Sequence, residues 1–156
     1  MIFVTVGTQK FQMDRLIRTI DALAGCSKEQ FFVQSGHSEY VPKYCEYSPF
    51  LDRDTMNKKV DQCSLVICHA GVGSILLGLK KGKKVIVVPR LEKFGEHVDD
   101  HQVEIAKSFA NAGYIKSVED VSALADVIQE CISWEPQAFV SNKDKFNRLV
   151  LECILE

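Results

Sequence analysis

The sequence predicts an α/β fold, a single Rossmann-like domain around a mostly parallel sheet, and three observations carry that expectation. Short runs rich in β-branched and aromatic residues alternate with longer stretches of helical period. Two of the runs, Leu65 to Cys68 and Val85 to Val88, are apolar throughout, as strands buried on both faces are. Glycine or clustered polar residues follow strands at three separate places, and in open parallel sheets ligands bind beyond the carboxyl ends of the strands. Such alternation implies right-handed crossovers.

Taken in order, Ile2 to Val6 reads as a buried strand, broken by Gly7-Thr8-Gln9. Phe11 to Leu23 follows as a helix, with Met13, Leu16, Ile17, Ile20 and Leu23 near a 3.6-residue period. Phe31 to Gln34 is a second strand, ended by Ser35-Gly36, and Tyr44 to Tyr47 a short third, closed by Ser48-Pro49. Asp54 to Gln62 is a helix capped by Asp52 or Asp54. Leu65 to Cys68 leads through His69-Ala70-Gly71-Val72-Gly73-Ser74 into a helix from Ile75 to Leu79, which Gly82 ends. Val85 to Val88 stops at Pro89, and Arg90 to His97 is a charged loop. Asp99 or Asp100 starts a helix that ends at Ala112-Gly113. Tyr114-Ile115 is a last short strand, and Ser117-Val118-Glu119-Asp120 opens a helix that Trp134-Glu135-Pro136 interrupts. A final helix is expected over residues 142–155. There Phe146, Leu149, Val150, Cys153 and Ile154 form one apolar stripe, suited to this domain's own sheet or to a partner chain. No internal repeat, low-complexity tract or linker interrupts the chain, so residues 1–156 read as one domain.

Composition excludes several classes. The 156 residues carry a formal net charge of -2, so nothing global favours nucleic acid. No apolar run is long enough for a transmembrane helix. Met1 to Gly7 is a β-type run without a basic leader, unlike a signal peptide. Six cysteines, none in a C-x-x-C pair and several within apolar patterns, read as reduced, cytoplasmic thiols.

Three segments carry chemistry. In His69-Ala70-Gly71-Val72-Gly73-Ser74, glycines admit a ligand close to the backbone, the helix start offers free N–H groups to an anion such as a diphosphate, and Ser74 adds a hydroxyl. It lacks the lysine of a Walker A loop. In Glu96-His97-Val98-Asp99-Asp100-His101-Gln102, carboxylates and amides suit sugar hydroxyls, which donate and accept. A metal set from His97, Asp99, Asp100 and His101 is the competing reading, disfavoured because a helix capped by Asp99 or Asp100 leaves His97 outside it. Gly7-Thr8-Gln9 suits a phosphate or a sugar, or is a simple turn. His69 and His97 are the histidines placed to titrate near neutrality. The lysines around Gly82, Lys80, Lys81, Lys83 and Lys84, read as a solvated helix end that complements the dipole, with attraction to anionic lipid as the weaker option.

In combination and order, Val4-Thr5-Val6-Gly7-Thr8, His69-Ala70-Gly71-x-Gly73-Ser74 and His97-Val98-Asp99-Asp100-His101-Gln102 resemble the carboxy-terminal, donor-binding domain of the family 28 GT-B glycosyltransferases. The similarity is stronger to the small subunit of split UDP-sugar transferases, both that of dolichol-linked oligosaccharide synthesis and bacterial counterparts that build exopolysaccharide and capsule. The resemblance implies one half of a GT-B enzyme that binds a UDP-sugar. It places Gly71, Gly73 and Ser74 by the diphosphate, with Gly7 and Thr8 on its other side. It matches His69 to the start of the donor-site turn, and His101 with Gln102 to the pair that contacts sugar hydroxyls. With Gln9, Ala70, Glu96, His97 and Asp100 these make the expected donor site. One departure is plain: where single-chain relatives carry a ribose-binding glutamate, this chain has Leu77.

The resemblance further implies inverting transfer of a hexose or N-acetylhexosamine from a UDP-sugar to a polyprenyl-diphosphate-linked saccharide. It implies no metal and no cofactor, since the UDP-sugar is a substrate. The acceptor-binding half and the general base are expected on a membrane-anchored partner that holds this chain at the cytoplasmic membrane face. No catalytic residue is therefore assigned here. The alternatives are a non-catalytic nucleotide-sugar-binding or stabilising subunit, and a metal-dependent hydrolase.

Overall fold

A computed structural model describes residues 1–141. The expected helix over residues 142–155 lies outside the described residues. The strands are β1 (Ile2–Thr5), β2 (Phe31–Gln34), β3 (Glu46–Ser48), β4 (Leu65–His69), β5 (Lys84–Val88) and β6 (Lys116–Ser117). The helices are α1 (Asp14–Cys26), α2 (Arg53–Gln62), α3 (Val72–Lys80), α4 (His101–Asn111) and α5 (Leu124–Ser133). Among the described residues the sheet runs β3-β2-β1-β4-β5-β6, every pair parallel. The order reverses between β1 and β4, which makes the crevice above their carboxyl ends the ligand position of a doubly wound sheet.

Alternation along the strands builds two cores. Ile2, Val4, Val33, Ile67, Ile86 and Val88 pack with Leu16, Ile17 and Ile20 of α1 and Leu124 of α5. Phe3, Phe32, Val66, Cys68, Val85 and Val87 face the other way, against Val60 of α2, Ile75 and Leu79 of α3 and Ala106 of α4. Such two-faced burial is why the central strands read as unbroken apolar runs. Cys45, Cys63, Cys68 and Cys131 are buried free thiols and Cys26 an exposed one. No helix among the described residues is long and apolar enough to cross a membrane.

Several boundaries differ from the expectation, each for a local reason. Residues 11–13 do not join α1, because the carbonyls of Phe11 and Gln12 accept from Arg90 and the Met13 amide donates to Ser38 Oγ. α3 begins at Val72, ahead of Ile75, so Gly73 and Ser74 lie in its first turn. β3 falls two residues later than the aromatic run suggests, because the amides of Lys43, Tyr44 and Cys45 all donate to the Asp21 carboxylate. The last strand is Lys116–Ser117, not Tyr114-Ile115, and Ile115 is buried just before it. Ser117 to Asp120 stays outside the final described helix: Asp120 caps a short 3-10 turn at Val121–Ala123, and α5 follows. Asp52 is the cap of α2, accepting from the Thr55 amide at 2.8 Å.

The lysines around Gly82 hold helix ends at the opposite pole. Lys83 Nζ donates to the carbonyls of Asp61 and Cys63 at the end of α2, and Lys84 Nζ to those of Cys131 and Ile132 at the end of α5. Lys81 pairs with Asp61. These are cations at helix carboxyl ends, where the dipole favours them.

Candidate functional site

At the carboxyl ends of β1 and β4 the chain makes its tightest approaches. Gly7 adopts φ +77°, and a Cβ there would stand 2.5 Å from His69 Cε1. A Cβ on Gly71 would collide with His69 Nε2. The imidazole therefore fills the gap between the two loops, and both positions require glycine because the ring takes the space. Burial, reinforced by the nearby Arg90 charge, pushes His69 down to about 4. Its Nδ1 is buried without a hydrogen-bond partner among the described residues. The expectation that His69 titrates near neutrality is corrected: burial keeps the ring neutral there.

Polar side chains on neighbouring strands fix the loop after β1. Gln34, the last residue of β2, donates through Nε2 to the carbonyls of Gly7 at 3.0 Å and Pro49 at 2.7 Å, and accepts from Thr5 Oγ1. Thr5 Oγ1 also accepts from the Gly7 amide at 3.2 Å. Thr8 and Gln9 stand exposed at the rim beyond this bracket.

The turn after β4 opens α3. The amides of Ser74 and Ile75 turn back to the Gly71 carbonyl at 3.0 and 3.1 Å. Those of Val72 and Gly73, within the first turn, have no partner inside the helix and carry its positive dipole end. Among the described residues, a Cβ on Gly73 would meet nothing beyond its own helix within 4 Å. Beside it a groove of about 450 Å³ runs between α2 and α3, lined by Arg53, Met56, Asn57, Leu76 and Leu77. Leu77 thus lies beside the open turn but brings no carboxylate to it.

The third segment is divided in its roles. Gln102 is buried, and its Oε1 accepts from the amides of Ala70 and Arg90, both at 3.1 Å. It ties the ends of β4 and β5 together and leaves only its NH2 to face a ligand. Glu96 is placed differently from the expectation. It is fully buried, bound by both oxygens to Arg15 at 3.0 and 2.9 Å and accepting from the Leu91 amide, so its carboxylate is consumed within the protein. His97 packs its ring on Phe11 and approaches Asp99 through Nδ1 at 3.0 Å. The amide of His101, at the start of α4, donates to Asp99, and that bond, ahead of the adjacent His97, holds the Asp99 carboxyl below its usual range. Asp100 turns away to accept from the Glu92 amide at 2.8 Å. His101 is exposed, 3.7 Å from Glu104.

The structure therefore brings Gly7, His69, Ala70, Gly71 and Gln102 into one contact set, with Gly73 and Ser74 opening beside it. His97, Asp100 and His101 sit on the outer lip. Gln34, Arg15 and Arg90 shape the site without having been singled out in the sequence, and Thr5, part of a quoted motif, was given no role there. Their signal was a polar residue at or just past the end of an otherwise apolar strand, and for Arg15 a charge one residue before an apolar helical face.

Comparisons with known proteins show the family of the chain. The family model described as the glycosyltransferase family 28 C-terminal domain matches residues 1–152. The UDP-N-acetylglucosamine transferase subunit ALG13 of Mus musculus is 36% identical over 124 residues, covering 72% of this chain and 10% of the mouse protein. The Homo sapiens protein of the same name is 34% identical, covering 73% and 10%. The chain thus spans about a tenth of the length of these two relatives. An NMR solution structure of ALG13 superposes with a TM-score of 0.61 at 20% identity, covering 99% of this chain and 96% of that one. Acinetobacter baumannii MurG superposes with a TM-score of 0.58 at 21% identity, covering 84% and 41%.

Proposed function

From the premise that this chain belongs to the glycosyltransferase family 28 C-terminal domain family, we propose that it is the donor-binding half of a split, inverting UDP-sugar transferase. The observation that carries the reading is the open first turn of α3. The amides of Val72 and Gly73, which have no partner within the helix, and the Ser74 hydroxyl sit at the topological switch point beside a groove of about 450 Å³ between α2 and α3. The name of these relatives, UDP-N-acetylglucosamine transferase subunit, supports a nucleotide-sugar donor and a partner.

In this reading the diphosphate lies on the α3 amides, with Gly7, Thr8 and Gln9 across from it and neutral His69 between. The sugar lies toward Gln102, whose NH2 donates to a hydroxyl while its oxygen stays fixed on Ala70 and Arg90. His97, Asp100 and His101 are its outer contacts. The acceptor hydroxyl attacks the anomeric carbon in line. The new C–O bond forms as the bond to phosphate breaks, and its electron pair leaves with UDP, where the helix dipole stabilises the growing charge. The acceptor's proton goes to a base on the partner; Glu96 is not that base, since Arg15 holds both of its carboxylate oxygens. The acceptor is a polyprenyl-diphosphate-linked saccharide of exopolysaccharide or capsule assembly, and the partner is membrane-anchored and holds this chain at the inner membrane face. Donor binding needs no metal.

The test is transfer from UDP-GlcNAc, UDP-glucose and UDP-galactose to lipid-linked saccharide, by this chain with and without its partner and in chelator. Turnover is expected only with the partner and is unchanged by chelator. Gln102→Ala should reduce discrimination among the donors more than affinity for UDP. Binding of UDP-sugar without turnover in the complete complex would instead make the chain a non-catalytic binding subunit.

A further inference from the structure

Arg90 takes no part in the ligand contacts above, yet it is the largest fully buried side chain among the described residues. It follows Pro89 at the end of β5 and turns inward under the crevice. Nη1 donates to the carbonyls of Phe11 at 3.1 Å, Gln12 at 3.0 Å and Glu96 at 3.0 Å, and Nη2 donates to Val6 at 2.6 Å. Its own amide donates to Gln102. One residue thus joins the end of β1, the loop that follows it, the segment after β5 and the side chain that bridges β4 and β5.

This is an expensive arrangement for stability alone. A guanidinium is taken fully out of water, its Nε is buried with no partner among the described residues, and the buried carboxylate next to it is already held at both oxygens by Arg15. A well-packed apolar residue of similar volume generally stabilises a core as well or better. Native interiors leave few buried N–H groups without a partner. The cost falls beneath the loops assigned to the donor. The two terminal nitrogens of Arg90 reach four carbonyls, Val6 through Nη2 and Phe11, Gln12 and Glu96 through Nη1, a set that the single ammonium nitrogen of a lysine does not reproduce.

We infer that Arg90 is a positioning residue for the donor site: its carbonyl contacts set the separation between the loop after β1 and Gln102. It touches no substrate. It acts by holding Gly7 to Gln12 at one distance from the α3 turn, so that amides on both sides meet the same diphosphate. The inference rests on the donor-site reading above.

Calorimetric titration of UDP into the chain with its partner, unaltered and as Arg90→Lys and Lys84→Met, tests it. Arg90→Lys should weaken UDP affinity roughly tenfold to a hundredfold, at a temperature where circular dichroism shows it folded. Lys84→Met removes the tie to the end of α5 at the far pole, so it should lower the melting temperature and leave UDP affinity unchanged. Unaltered UDP affinity in folded Arg90→Lys overturns the inference, and so does an equal loss in Lys84→Met, which would reveal general loosening. If Arg90→Lys does not fold, Glu96→Gln decides. It keeps Arg90 and an acceptor for Arg15 but weakens the segment that Arg90 grips, and unchanged affinity there is likewise fatal. No UDP binding by the unaltered complex is a distinct result that removes the donor-site reading and this inference together.

Discussion

His69 is a histidine that the fold keeps neutral. Its ring stands between Gly7 and Gly71, and burial, then the Arg90 charge, lowers it from 6.5 to about 4. Because the folded value lies below the unfolded one, the unfolded chain binds the extra proton first as pH falls. The stability tied to the neutral ring is complete above about 6.5 and is lost progressively between there and about 4. The loss amounts to about 3 kcal/mol, since one unit corresponds to about 1.4 kcal/mol. Urea unfolding of the native chain should show this decline over that window, and His69→Gln should flatten it. An equally steep decline in His69→Gln would assign the effect to other groups. The sequence announced this histidine as a site residue but not its protonation state. That depends on how closely two glycines let the loops approach it, and the spacing of letters does not carry that distance.

Between β2 and β3, an element without regular structure owes its order to one carboxylate. Asp21 lies on the buried face of α1 beside Leu16, Ile17 and Ile20, and accepts from the amides of Lys43, Tyr44 and Cys45 and from the Tyr40 hydroxyl. Burial raises its carboxyl, but the bonds from Lys43, Tyr44, Tyr40 and Cys45 outweigh that, and the net displacement is downward. Asp21→Ala would leave three amides without an acceptor, at about 1–3 kcal/mol each where water cannot replace it. A drop of roughly 3–5 kcal/mol in denaturant unfolding is expected, and a change below 1 kcal/mol would mean that water serves the loop equally well. The same carboxylate explains a displaced strand. Tyr44 to Tyr47 looks like β structure by composition, but Asp21 claims the amides of residues 43–45, and pairing to β2 begins only at Glu46. β2 and β4, bounded by their own apolar content, fall where the hydrophobic pattern puts them. The edge strands β3 and β6 answer to distant partners and do not.

At the scale of the molecule the sheet separates two poles. Around Gly82, lysines close the ends of α2 and α5. At the other pole the ends of β1, β4 and β5 meet buried polar groups, Thr5, Gln34, His69, Arg90, Glu96 and Gln102, that hold loops instead of filling a core. The three site segments were legible because glycines and clustered polar residues mark strand ends. The supports beneath them were not, because a polar residue at a strand end, such as Gln34 or Arg90, marks a position but not its role until its partners, tens of residues away, are known.

This polarity has a thermodynamic consequence. A ligand that binds only the folded chain at the crevice stabilises it by RT ln(1 + [L]/Kd), about 2.7 kcal/mol at a hundredfold excess over Kd. For a chain of this length that corresponds to a rise in melting temperature of roughly 5–10 °C. UDP should produce the rise, and UMP, lacking the second phosphate that the α3 amides are proposed to hold, should produce a smaller one at equal concentration. Gly73→Asp separates site from fold. Among the described residues, a Cβ there meets nothing beyond its own helix within 4 Å, and a carboxylate in the first turn suits the helix dipole, so the unliganded melting temperature should hold or rise slightly. The UDP-induced rise should vanish, because the carboxylate takes the anion's place at the open turn. A Gly73→Asp chain that melts as the native one does, and is stabilised by UDP to the same degree, would put the diphosphate somewhere other than the first turn of α3.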